Sequence, residues 1–179
     1  PLVARWDTSG RLTDAVKPAV ARAETQLADA SLSDELRGQV AANLVGVRTL
    51  DPSIVPAVAA LLGSSASPAL QKRVVEALGA QADSAMALVP VFSKLPPEVV
   101  EPAFGQIVKR GDTAGAFLDA VAAKQVDLLQ LGPARQHRLR THPDTQIAKR
   151  ANTIIDDLKG PEARQKDALL AKYTPEVLK

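Results

Sequence analysis

Apolar residues recur along most of this chain at intervals of three and four, the pattern of helices that bury one face. Leu12, Val16, Val20, Ala23 and Leu27 form the first stripe and predict a helix from Leu12 to about Ala28. Pro18 lies inside it and removes a backbone hydrogen bond, so a bend or a later start is expected. Leu36, Val40, Leu44 and Val47 form the second stripe, ending near Arg48. It is introduced by Ser31-Leu32-Ser33-Asp34-Glu35, whose serines and acids suit the positive end of a helix dipole. Gly38 and Gly46 lower helix propensity there and leave room for a neighbouring helix to approach.

From residue 51 onward the punctuation becomes regular. Asp51-Pro52-Ser53 reads as a capped start with proline in the first turn, followed by Ile54, Val58, Leu61 and Leu62 and stopped by Gly63-Ser64-Ser65. Ser67-Pro68 repeats the device and opens a helix through Leu70, Val74, Val75 and Leu78 to Gly79. Two short helices joined by a few small residues make an α-hairpin. Asp83 then predicts a helix through Met86, Leu88, Val89 and Phe92. Pro96-Pro97-Glu98 restarts one through Val99, Val100, Phe104, Ile107 and Val108 to Gly111, and Asp112 is expected to cap the next, with Ala116, Phe117, Ala120 and Val121 inward. Asp51, Asp83 and Asp112 stand 32 and 29 residues apart. That spacing suits a two-helix unit that covers its apolar face by stacking on its neighbours.

Beyond Lys124 the regularity loosens. Val126 to Gly132 is expected to form a turn or a single helical turn, with Pro133 opening a helix to Arg140. Thr141-His142-Pro143-Asp144 breaks the chain before a helix with Ile147, Ala151, Ile154, Ile155 and Leu158 on its apolar side. A last helix is expected from Pro161 through Ala168, Leu169 and Leu170 to Tyr173-Thr174-Pro175. The predicted fold is all-α, a short right-handed solenoid of HEAT- or armadillo-like helix pairs. It forms one repeat domain over 1–179, with an N-terminal pair in 1–50, HEAT-like pairs in 51–123 and less regular helices in 124–179.

Composition narrows the chemistry. The 179 residues are 46% hydrophobic and only 3% aromatic, enough for one buried domain or a short repeat array. With no cysteine there is no disulfide, thiolate metal site, iron–sulfur cluster or thioether haem attachment, and the redox compartment stays open. Twenty-two Lys and Arg against 20 Asp and Glu leave a formal charge of +2, which does not imply dedicated nucleic-acid binding. No apolar run reaches the roughly 18 to 20 residues needed to cross a bilayer, so no direct membrane insertion is expected. Pro1-Leu2-Val3-Ala4-Arg5-Trp6 does not read as a signal peptide.

The unit from Asp51 to Leu62, followed by Pro68-Ala69-Leu70-Gln71-Lys72-Arg73-Val74-Val75-Glu76-Ala77-Leu78-Gly79, resembles a HEAT repeat. Such repeats are helix pairs with an arginine or lysine early in the second helix, a place that Arg73 fits. A narrower resemblance covers roughly residues 40 to 179. Ala116-Phe117-Leu118-Asp119-Ala120-Val121, then Gly132-Pro133-Ala134-Arg135-Gln136-His137-Arg138-Leu139-Arg140-Thr141-His142-Pro143-Asp144, and finally Arg164-Gln165-Lys166 before Tyr173 are similar to the helical region of large haem-containing dehydrogenases typical of planctomycetes. The resemblance implies a sugar-dehydrogenase-type propeller before such a region, a c-type cytochrome domain after it, and a periplasmic or exported location. Catalytic residues would lie in the propeller. No Cys-x-x-Cys-His occurs in this chain, so no haem role passes to any of its residues.

The candidate site is a set of cations. Arg135, Arg138, Arg140, Lys149 and Arg150 are opposed within their span only by Asp144, and Arg135 and Arg138 share one helical face. They suit an acidic partner domain or an anion; they also suit solvated side chains lying over apolar neighbours. The aromatics Trp6, Phe92, Phe104, Phe117 and Tyr173 do not interleave with them, which argues against nucleic acid. His137 and His142 would point about 140° apart on one helix, so no metal site is expected from them. Arg73 is expected either to pair with Asp51 or another acid of the preceding unit, or to face solvent. Phe92, Phe104, Phe117 and Met86 are expected in the core, and Trp6 as an anchor on the first pair or a contact of a missing preceding domain.

Ser64, Ser65 and Ser67 lack a nucleophile elbow, Asp156 and Asp157 diverge by about 100°, and no glycine-rich phosphate loop occurs. The expected role is therefore non-catalytic, without cofactor; the resemblance to the dehydrogenase helical region implies an interdomain spacer or docking scaffold in a multidomain bacterial oxidoreductase. The alternative is an independent protein-binding scaffold with a basic C-terminal face.

Overall fold

The computed structural model describes residues 11–63 and 66–158, and at 11–13 and 128–130 the backbone alone. Among the described residues every regular element is helical. The helices are α1 (Arg11–Ala28), α2 (Asp34–Gly46), α3 (Ile54–Ala60), α4 (Pro68–Gly79), α5 (Ala82–Ala85), α6 (Pro97–Ile107), α7 (Gly111–Ala122), α8 (Leu128–Arg140) and α9 (Thr145–Leu158). Short 3-10 turns occupy Leu61–Gly63, Met86–Leu88 and Phe92–Lys94. The chain divides into two compact units, Pro1–Ala116 and Phe117–Lys179. Trp6, Ser64, Ser65 and the helix expected from Pro161 lie outside the described residues.

In the first unit, α2 packs on α1 and α4, and α4 packs in turn on α6. Local sequence explains where these helices begin. Ser33 caps α2 by accepting a hydrogen bond from the Leu36 amide at 3.3 Å, and Ser67 caps α4 by accepting from the Leu70 amide at 3.1 Å. Pro68 follows Ser67 at the first helical position, where a missing N–H costs nothing. Asp51 departs from its expected role. Its carboxylate folds back onto the Ser53 amide and hydroxyl, at 2.8 and 2.7 Å, in a turn that delays α3 to Ile54. Asp112 departs likewise, because α7 begins one residue earlier and the carbonyl of Arg110 accepts its first helical bond, from Ala114 at 3.0 Å.

The helix expected from Asp83 to Phe92 is broken into α5 and two 3-10 turns. Pro90 lies in the middle of that stretch; it has no N–H to give to a carbonyl one turn back and crowds the preceding turn. The break turns Met86 outward, 41% exposed, where a core position was expected. Phe92 and Phe104 are buried with ring centroids 6.3 Å apart at 56°, a tilted contact that favours the two quadrupoles.

The inward face of α2 also differs from the apolar stripe. Leu36 is 45% and Val47 37% exposed, whereas Arg37, Gly38, Val40, Ala41, Leu44 and Val45 are buried. Gly38 is where α4 comes close: a Cβ there would stand 2.5 Å from Cδ of Arg73 and 2.9 Å from its Cβ. The expected room for a neighbour is thus used at Gly38 and not at Gly46, which has nothing within 4 Å. Gly79 repeats the device one step on, where a Cβ would stand 2.5 Å from the Gln106 side chain of α6.

In the second unit, α8 packs on α9. Gly132, at φ 68° and ψ 163°, interrupts α8, so a single turn from Leu128 precedes the longer helix that Pro133 opens. Only glycine adopts that conformation readily. Leu131, Leu139, Ile147, Ala151 and Ile155 are buried. Asp144 starts α9 by accepting from the amides of Gln146 at 2.8 Å and Ile147 at 3.4 Å.

At the end of α7, Lys124 has φ 58°, and the Gln125 amide donates back to the Ala120 carbonyl at 2.9 Å. This is a left-handed helix terminus of the kind glycine usually fills. A lysine there carries a steric cost of about 1–2 kcal/mol that glycine lacks. Lys124→Gly is expected to raise stability by about 0.5–1 kcal/mol after glycine's greater freedom in the unfolded chain is set against that cost. An unchanged or lower urea midpoint for the variant would contradict it.

Candidate functional site

The five cations expected to form a docking surface lie on α8 and α9. Lys149 and Arg138 are exposed, Arg135 and Arg140 half-buried, and Arg150 exposed. Arg135 donates to the Leu131 carbonyl at 3.3 Å, inside its own helix. Arg140 reaches from α8 to α9, donating to Oδ1 of Asn152 at 2.7 Å and to the Asp156 carboxylate. Arg150 is drawn to Asp119 of α7, with its Nη2 2.5 Å from Oδ1. Arg140 and Arg150 therefore have acidic partners from outside the span in which the sequence counts only Asp144. The cations belong to one helical pair, but the field they project is smaller than their number.

Those acidic partners had no local signal. Asp119 lies 31 residues before Arg150, and Asp156 lies 16 after Arg140. Only the packing of the helices brings them together. Of the two histidines, His142 is engaged locally through its ring, Nδ1 accepting from the Asp144 amide at 3.0 Å, while at His137 it is the backbone carbonyl that accepts, from the Thr141 hydroxyl at 2.9 Å. Among the described residues, no group of three or more His, Cys, Asp or Glu side chains is placed to hold a metal ion.

Arg73 resolves differently from its first-named partner. It pairs with Glu35 at the start of α2, Nη2 to Oε2 2.5 Å, while Asp51 is bonded to Ser53. Both members of the Arg73–Glu35 pair are substantially exposed, so the contact orients α4 against α2 and contributes about 0–1 kcal/mol. Further polar ties link the helical steps of the first unit. The Ser67 hydroxyl donates to the Asp34 carboxylate, and Arg110 donates to the carbonyls of Gly79 at 2.8 Å and Ala80 at 3.2 Å at the end of α4. Nε of Arg48 lies 2.7 and 2.8 Å from the two oxygens of Asp83.

The Arg48 hydrogen bond holds the Asp83 carboxyl below the usual aspartate range, with the Arg48 charge and the Ser84 amide acting in the same direction. A depressed folded-state value stabilises the fold at pH above the ordinary aspartate value of about 3.9, and that stabilisation is lost as pH falls through the depressed value. Because Asp83 is well exposed, the amount is expected to stay below about 1 kcal/mol. Asp83→Asn should therefore lower the urea midpoint at neutral pH and lose less stability than the parent on acidification below about pH 4. Parallel acid profiles would remove the pair from the stability account.

Side-chain hydroxyls in the core are committed to structure. Ser84 donates to the Leu78 carbonyl at 2.7 Å, and Thr113 donates to that of Arg110 at 3.3 Å. The Thr113 hydroxyl also lies 3.4 Å from the carboxylate of its neighbour Asp112. Two concave places stand out in the first unit. One, of about 420 Å³, is the open groove between α2 and α4 beside the Arg73–Glu35 pair. The other, of about 450 Å³, is a cleft walled by α1, α2 and α3, with Arg37 and Glu24 among small apolar residues. In the second unit, Val121, Lys124, Val126, Asp127 and Leu158 surround a hollow of about 350 Å³. Nothing in the apolar pattern pointed to the Arg37 cleft, because Arg37 falls beside the stripe of Leu36, Val40 and Leu44.

No helix among the described residues is long and apolar enough to cross a membrane. Comparison with protein-family models, with curated proteins and with solved structures finds no match to this chain.

Proposed function

We propose that the chain is a non-catalytic helical-repeat module that spaces or docks neighbouring domains of a multidomain bacterial oxidoreductase. The observation that carries this reading is the set of ties between successive helical steps in the first unit. Ser67 with Asp34, Arg73 with Glu35, Arg48 with Asp83 and Arg110 with Gly79 join residues separated by 33, 38, 35 and 31 positions. These separations run from 31 to 38 positions, at or somewhat above the spacing of about 30 residues read from Asp51, Asp83 and Asp112. The packing order, α2 on α4 and α4 on α6, is the order expected of stacked pairs, each covering the apolar side of the one before. A right-handed HEAT-like solenoid is the arrangement this supports.

The oxidoreductase setting rests on the resemblance of the region from Ala116 to Asp144. It is tested by the open reading frame around this segment, in which a propeller is expected upstream and a Cys-x-x-Cys-His motif downstream. If neither occurs, the oxidoreductase setting falls while the repeat reading stands. A direct measurement follows: the purified upstream and downstream domains should bind this module, and indifference of both would overturn the docking role.

A second reading, an independent scaffold that recruits an acidic protein, is favoured by the exposed Arg138 and Lys149 on neighbouring helices. Reversing Arg135 and Arg138 to glutamate should then weaken capture of that partner at least about tenfold, a loss of roughly 1.4 kcal/mol. Unchanged affinity would count against it.

A further inference from the structure

We propose that the cleft walled by α1, α2 and α3 is a binding site for a single carboxylate carried on a short apolar stem, with Arg37 as its receptor. Arg37 is only 8% exposed, and arginine is almost never that buried without a counter-charge. Its Nε donates to the Leu27 carbonyl at 2.9 Å, at the end of α1, where the negative end of the helix dipole favours a cation. That bond fixes the plane of the guanidinium. No carboxylate of the described residues stands within ion-pair distance of it, and neither Nη makes a hydrogen bond. Both Nη atoms keep contact with solvent in the cleft, so an anion entering it would meet an oriented cation with donors to spare.

The surroundings select the anion. A planar guanidinium held by Nε presents its Nη donors in the geometry that matches a carboxylate. Two acids stand nearby. Glu24 is on the cleft wall, 3.5 Å from a Ser53 hydroxyl that donates to Asp51, and Asp29 accepts from the Ser31 amide and hydroxyl at 2.9 and 2.7 Å. Their charges disfavour a dianion such as phosphate and leave a monoanion as the better match. The remaining walls, Leu27, Ala28, Ala57, Ala60 and Leu61, offer small apolar surface, and about 450 Å³ exceeds what a bare carboxylate needs. The carboxylate can be that of a free short-chain acid or of an acidic side chain in a docked peptide; both present the same group on the same kind of stem.

The test is a nuclear magnetic resonance titration of the whole chain with four probes: butyrate, inorganic phosphate, the peptide Ac-Ala-Ala-Glu-Ala-Ala-NH2, and its glutamine counterpart. Saturable shifts of the Arg37 side-chain Nε–H and the Ala57 and Ala60 amides are expected with butyrate or with the glutamate peptide. One Arg37–carboxylate pair and a few apolar contacts correspond to a dissociation constant on the order of 1 mM. Saturation by butyrate alone identifies a free acid, and saturation by the glutamate but not the glutamine peptide identifies a side chain. Ala57→Leu fills the half-exposed wall while leaving Arg37 in place, and Arg37→Lys keeps the charge without the fork; each should weaken binding about tenfold or more. Absence of saturation with both carboxylates, phosphate binding as tightly as they do, or undiminished affinity in a folded Ala57→Leu variant would overturn the proposal.

Discussion

Replacing Phe104 by alanine is expected to cost about 3–5 kcal/mol of folding stability, the range for deleting a fully buried aromatic ring. Phe104 is completely enclosed on α6, and its ring meets that of Phe92 in the turn that precedes α6. The loss should combine the transfer energy of the ring, the cavity left by it and the tilted contact with Phe92. Urea denaturation with an unchanged slope and a much lower midpoint is the expected result. Met86→Ala supplies the contrast: although the sequence pattern treats both residues as core, Met86 is largely exposed, and its truncation should stay within about 0.5 kcal/mol. Equal costs for the two would mean that the break at Pro90 does not turn Met86 outward.

Gly38→Ala should also destabilise, against the usual rule for a helix interior. An alanine in place of glycine ordinarily gains about 0.5–1 kcal/mol there. At this position the new methyl group would lie 2.5 Å from Cδ and 2.9 Å from Cβ of Arg73, and a Cβ cannot swing aside without its backbone. Overpacking of this kind costs about 1–3 kcal/mol, so the net loss is expected near 1–2 kcal/mol, with α4 displaced from α2. Arg73→Ala in the Gly38→Ala background should recover part of that loss. A double-mutant cycle with coupling near zero would contradict the close approach. Gly46→Ala, with open space around it, should show no such penalty.

These two variants also mark where the sequence could be read and where it could not. Helix starts were legible when the signal was local: Ser67-Pro68 caps and opens α4, and the Gly132-Pro133 junction divides α8 as its composition suggests. The inward face of α2 was not. It is set by what packs on it, so a glycine and an arginine turn inward while Leu36 and Val47 turn out. The cap expected at Asp51 failed because a nearer hydroxyl and amide, both of Ser53, compete for the same carboxylate. The basic residues of α8 and α9 were legible as a charge count, but their partners Asp119 and Asp156 were not. The Arg37 cleft lay outside apolar periodicity altogether, since it is made by one polar side chain that the periodicity treats as outward.

The ties between helical steps have a consequence for how such a chain can change. Ser67 meets Asp34, Arg73 meets Glu35, Arg48 meets Asp83, and Arg110 meets two backbone carbonyls. The joint of α2 with α4 is made on two carboxylates and that of Arg110 on two backbone carbonyls, so these steps are keyed rather than modular. Duplicating or excising one of them would bring together a donor and an acceptor that do not match, even where the oily surfaces still fit. Lineages of this segment should therefore vary by substitution within each joint and keep the number of joints fixed.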